Sequence, residues 1–172
     1  MNDGIITLTL EQIKSFFDDE GFFSKVIPAS ETTPIDQLFV DFADSKDRDS
    51  RLEIILLPEN KGVYVIQFFV ILPFKIQKKD ISDIARLMIM INNNLPITGF
   101  GMIEEQSLPY FRYLLSWPEI ELNKDVIVKT AWMIDYLINR LGGILESFAK
   151  GEKTIDEAIF ELKENTKKSP SR

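Results

Sequence analysis

The chain has 172 residues, 45% hydrophobic and 27% charged, with a net charge of -7 and neither cysteine nor histidine. That length suits one domain, able to bury roughly 68–70% of the surface its unfolded chain exposes. Missing cysteine excludes disulfides, thiolate nucleophiles and cysteine-held zinc or iron–sulfur clusters; missing histidine excludes Ser-His-Asp triads, an imidazole base and the facial triad for iron.

The first helix starts at Thr9, an N-cap that forms a capping box with Gln12, and Leu8 with Ile13 are placed as a hydrophobic staple. Leu10, Ile13, Phe16 and Phe17 share one face, and Gly21 stands where a left-handed residue ends a helix. Asp18, Asp19 and Glu20 crowd the unfavourable end of the helix dipole, which a solvated end explains more simply than a metal site. The period then changes. Phe22–Ile27, Gln37–Phe42, Arg51–Leu57 and Val63–Leu72 read as strands, and their short turn-rich connections predict an antiparallel meander. Both alternation sets of the fourth strand are apolar, so either helices cover both faces or one face meets another molecule.

A second helix is expected from its N-cap Asp80 to about Asn94, with Ile81, Ile84, Leu87, Met88 and Ile91 on one side. A hairpin follows, Phe100–Gln106 and Tyr110–Trp117, joined through Ser107-Leu108-Pro109. The long third helix runs from about Lys124 to Ala149. Its core stripe is Ile127, Ala131, Ile134, Ile138, Leu141, Leu145 and Phe148, beside a second stripe of Val126, Met133, Leu137 and Ile144. Such an arc is wider than one sheet face usually needs. Gly142-Gly143 marks either close backbone packing or a break, since glycine costs roughly 1 kcal/mol against alanine in a helix. A short amphipathic helix opens with a Thr154–Glu157 capping box, and Ile155, Ala158, Ile159 and Leu162 line its face. The expected organisation is one domain over 1–165 with a disordered tail at 166–172.

Charge is uneven. Residues 1–62 hold 13 acids and 6 bases, whereas 63–172 hold 14 of each. An acidic first third argues against nucleic acid as a partner, because phosphate binding relies on Lys and Arg. Met1-Asn2-Asp3-Gly4 lacks the positive start and apolar run of a signal peptide. The longest apolar stretch, Val63 to Phe74, is short of the roughly 18 residues of a spanning helix, so no membrane association and a cytoplasmic location are expected.

No constellation carries chemistry. Asp44, Asp47 and Asp49 do not fit a calcium loop, because Lys46, Arg48 or Arg51 falls in a ligand position. Glu104 and Glu105 would point to opposite faces of a strand, and Glu119 with Glu121 flank Pro118 in a loop. Gly99-Phe100-Gly101 lacks the third glycine and following helix of a phosphate loop. No catalytic, cofactor-binding or metal-ligating residue is therefore assigned. Aromatics say more: Phe111, Tyr113 and their neighbours crowd one hairpin strand, and Trp132 and Tyr136 sit four apart on the third helix. As core residues they need no further explanation; as a partly exposed patch, with Met133, they would form an association surface.

The element order, and the segment Asp80 to Ala149 in particular, resembles the type III secretion chaperone-like fold and within it the YbjN-like bacterial proteins. The resemblance is carried by Ile91-Asn92-Asn93-Asn94-Leu95-Pro96, then Gly99-Phe100-Gly101-Met102, then Tyr110-Phe111-Arg112-Tyr113-Leu114-Leu115 and a loop into the long helix. It implies an α+β fold, a twisted antiparallel sheet packed with helices, and often a homodimer. The order is helix, four strands, helix, two strands, long helix, here with an added short C-terminal helix. It also implies a chaperone-like or regulatory protein that holds a partner segment without catalysis. The alternative kept beside it is a small-molecule or lipid-binding domain with an apolar cavity between sheet and helices, suggested by 13 phenylalanines.

Overall fold

Residues 8–42, 50–60, 63–95, 97, 99–118 and 123–167 are described by the structure, a computed structural model of the chain. The architecture is α+β, with one open antiparallel sheet of six strands in the order β1-β2-β3-β4-β6-β5. In chain order the elements are α1 (Leu10–Asp19), β1 (Ser24–Ile27), β2 (Gln37–Phe42), β3 (Ser50–Asn60), β4 (Val63–Ile71), α2 (Ile81–Asn93), β5 (Phe100–Ile103) and β6 (Leu108–Pro118). A long helix follows as α3 (Lys124–Leu137), a π-helical turn (Ile138–Gly142) and α4 (Gly143–Ala149), and α5 (Ile155–Lys167) closes the chain. The expected order is matched. Residues 1–70 and 113–133 make one compact unit, and 71–112 and 134–172 make the other. The Asp44–Asp49 segment, Glu119 and Glu121 lie outside the described residues.

In the first unit, α1 is bounded as its sequence predicts. Thr9 Oγ1 accepts from the Gln12 N–H at 3.2 Å and Gln12 Oε1 accepts from the Thr9 N–H at 2.9 Å, the reciprocal capping box. At the other end Gly21 takes φ +83°, and Phe22 N–H donates to the Phe17 carbonyl, closing a Schellman motif. The acidic end is not merely solvated, as was expected. Lys124 reaches Asp19 at 3.2 Å and Glu20 at 3.0 Å, and Lys14 pairs with Asp18. These ion pairs are largely exposed and individually weak.

Asp18 carries a pH consequence. Its carboxyl is held below the ordinary 3.8 by the hydrogen bond from Lys14 and then by that from the Ser24 hydroxyl. A folded value below the unfolded one means that Asp18 contributes fully above about pH 4 and stops contributing as pH falls through the lowered value. Melting temperatures of Asp18→Asn should therefore fall less than those of the wild type between pH 5 and pH 2. Equal slopes would remove Asp18 from the acid transition.

The meander alternates as strands must. Leu38, Val40, Leu52, Ile54, Ile66, Phe68 and Val70 are fully buried, and Leu52↔Val70 and Ile54↔Phe68 face each other across β3 and β4. The opposite face pairs Glu53 with Phe69, Ile55 with Gln67 and Leu57 with Val65. Phe39, Leu57, Val65 and Phe69 on it are half-buried and Leu114 is exposed. The second apolar set of β4 is thus only partly covered.

In the second unit, Asp80 occupies the N-cap of α2, but its side chain makes no cap bond. A 3-10 turn over Lys78–Asp80 leads in, and the Asp80 N–H is taken by Gln77 O. The hairpin also differs from expectation, its first strand shorter and its second longer. Glu104–Gln106 form a 3-10 turn rather than strand, Ser107 turns left-handed at φ 55°, and β6 begins at Leu108, opposite Ile103. Pro109 lies within β6, and its carbonyl accepts from Leu72 N–H at 2.9 Å.

All seven residues of the predicted core stripe of the long helix are buried. The break at Gly142-Gly143 is a change of period: Ile138–Gly142 is π-helical, and a Cβ on Gly142 would meet only Ile138 Cγ2, at 3.7 Å. An added residue in one turn advances the helix face by roughly 100°. In the second stripe Leu137 before the turn and Ile144 after it are buried, Met133 is half-buried and Val126 is 42% exposed. Thr154 and Glu157 form the expected capping box, with Thr154 N–H donating to Glu157 Oε2 at 2.8 Å. Helix α5 extends through Lys167, two residues into the segment expected to be a disordered tail; residues 168–172 lie outside the described ones.

Candidate association surface

In the first unit the surface is built around Trp132. Ile127, Val128, Ala131 and Thr130 turn inward on α3, so Trp132 is carried to the helix flank and stays 52% exposed. One edge of its indole is nonetheless held: the Phe22 ring meets it at 5.3 Å between centroids and 68° between planes. Phe22 in turn stands edge-on to Phe17 at 5.7 Å and to Phe42 at 6.3 Å, both buried. This chain of aromatic edges connects an outward-facing Trp to the core. Beside Phe22 in sequence, Phe23 is 71% exposed. Met133 is half-buried, and so is Tyr113, whose ring lies 6.4 Å from that of buried Phe68.

In the second unit Tyr136 is 54% exposed. Arg140, one turn on, donates to the Tyr136 hydroxyl with its guanidinium 5.7 Å from the ring centroid. A second Arg140 nitrogen donates to the Asn165 carbonyl at 2.7 Å, in the last turn of α5. The added helix is therefore tied to the π-turn by a side chain whose partner could not be read from the sequence.

Phe111 must be removed from the expected surface. It is fully buried, stands edge-on to Phe100 at 5.0 Å and 83°, and lies directly over the Cα of Gly99. Alternation places Phe111 and Tyr113 on the same face of β6, and only packing above that face distinguishes them.

The pKa of Asp125 is lowered by its hydrogen bond from Lys129, and that of Glu157 by the backbone N–H of Thr154, both exposed groups stabilised as carboxylates. Among the described residues no cluster of three or more acids could hold a metal ion. A cavity of about 500 Å³ opens at the end of the β2–β3 pair, lined among the described residues by Asp41, Phe42, Ser50 and Arg51, and the Arg51 Nε–H donates to its cross-strand neighbour Asp41 at 2.8 Å. Among the described residues no helix is long and apolar enough to cross a membrane.

No protein-family model matches the chain, and no curated protein matches it.

Proposed function

We propose that the protein is a non-catalytic protein-binding module, chaperone-like or regulatory, that acts in the cytoplasm as a homodimer and holds a segment of a partner protein. The observation that carries this reading is Trp132, half exposed yet fixed edge-on to Phe22. A solvent-facing aromatic with one edge packed against a core-anchored ring has the properties of an interface anchor, because part of its side-chain entropy is lost before binding. The half-covered outer sheet face, with Phe39, Val65 and Phe69, supports the same reading, as does the family resemblance over Asp80 to Ala149.

Light scattering at tens of micromolar tests it. The wild type should run as a dimer, and Trp132→Ala should weaken self-association by about thirtyfold, the effect of a hot-spot residue of roughly 2 kcal/mol. A wild type that stays monomeric across that range would end the dimer proposal.

A further inference from the structure

Strand β5 closes one edge of the sheet, and its backbone alternation decides which groups face outward. Arg112 N–H donates to the Gly99 carbonyl at 2.9 Å, so the Gly99 carbonyl and residues 101 and 103 bond toward β6, while Phe100 and Met102 direct their N–H and C=O away from it. An outward row of this kind is a template for another strand. Natural edges are blunted by charge, proline or a bulge, and Phe100-Gly101-Met102-Ile103 contains none of these residues.

Protection comes instead from Asn92, in the last turn of α2. Its Nδ2 donates to the Phe100 carbonyl at 2.8 Å, and its Oδ1 accepts from the Phe100 N–H at 3.1 Å and from the Gly99 N–H at 3.3 Å. A carboxamide offers one donor and one acceptor side by side, as a peptide group does, and so satisfies both outward groups of Phe100 at once. An aspartate could accept but not donate; an alanine could do neither.

We infer that Asn92 is a gatekeeper that stands in for a seventh strand, and that it shuts the β5 edge against antiparallel pairing with the β5 strand of a second copy of this chain. The occupant follows from the strand itself. An uncharged edge carries no repulsion against its own antiparallel copy.

Amide hydrogen exchange and sedimentation velocity test the gate together. In the wild type the Phe100 amide should be protected although it faces outward, and Asn92→Ala should lose that protection by about tenfold or more. The same variant should form a concentration-dependent species absent from the wild type, and adding Met102→Pro, which removes an outward N–H, should abolish it. A dimer built on Trp132 would be indifferent to Met102→Pro, so the two associations are separable. If Asn92→Ala does not fold, Asn92→Leu provides the same reading, because it keeps the shape of the side chain and has neither donor nor acceptor. An unprotected Phe100 amide in the wild type overturns the inference, and so does a folded Asn92 variant with wild-type sedimentation at every concentration.

Discussion

Phe111→Ala is expected to destabilise the protein by about 3–5 kcal/mol, a fifth or more of the stability of an ordinary domain. The side chain is fully buried, and its neighbours cannot close over the gap it leaves. Phe100 meets it edge-on, and that residue's backbone is pinned by Asn92 through both its N–H and its carbonyl. On the other side lies Gly99, with no side chain to move inward. A site bounded by a fixed strand and a glycine leaves the cavity nearly whole, which places the cost at the upper end of large-to-small substitutions. Urea denaturation of the two proteins, at equal slopes, measures it. A difference below 1 kcal/mol would show that Phe111 does not fill the core.

Gly99→Ala is the second large effect, and its contrast with Gly101→Ala makes it diagnostic. A methyl group on Gly99 would stand 2.6 Å from the Arg112 carbonyl oxygen and 2.8 Å from Cζ of Phe111. The first is backbone, held at that distance by the Arg112 N–H to Gly99 O bond, and the second is a buried ring. Neither can yield without separating β5 from β6, so the loss should reach about 3 kcal/mol. On Gly101 the methyl group would stand 2.5 Å from Cζ of Tyr110 and 2.6 Å from its hydroxyl oxygen. Here the atoms met are the far end of a half-buried side chain, that of the direct cross-strand partner Tyr110, rather than backbone. That substitution should cost less than about 1 kcal/mol. Combined with Tyr110→Ala it should become neutral or stabilising, since alanine restricts the unfolded chain more than glycine does. Denaturation curves of the wild type, Gly99→Ala, Gly101→Ala, Tyr110→Ala and the double variant complete the comparison. Equal losses at both glycines would refute this account of the hairpin.

Most of the scaffold was legible because its signals are local. Thr9 with Gln12, Thr154 with Glu157, and Gly21 are short-range chemistry that the surrounding fold does not override. β2 falls at Gln37–Phe42, where alternation had placed it. What escaped reading depends on partners distant in sequence. The π-turn adds one residue to a helical period, and only the glycine pair marks its place. Asn92 reads as one of three consecutive asparagines, and nothing in that run shows which carboxamide meets β5. The aromatic surface was half legible for the same reason. Trp132 and Tyr136 lie at the border between the apolar and polar stripes of their helix, a position that predicts partial exposure. Phe111 and Tyr113 share a strand face, and no period separates the one that is buried from the one that is half-covered.

The two compact units also bear on how this gene can be cut and inherited. The chain passes from one unit to the other after Val70, returns after Arg112 and leaves again after Met133, with the second passage inside β6 and the third inside α3. Neither unit is one uninterrupted stretch of coding sequence, so no single truncation delivers either of them whole. Exchange of a unit between relatives by recombination would have to carry two separated segments together.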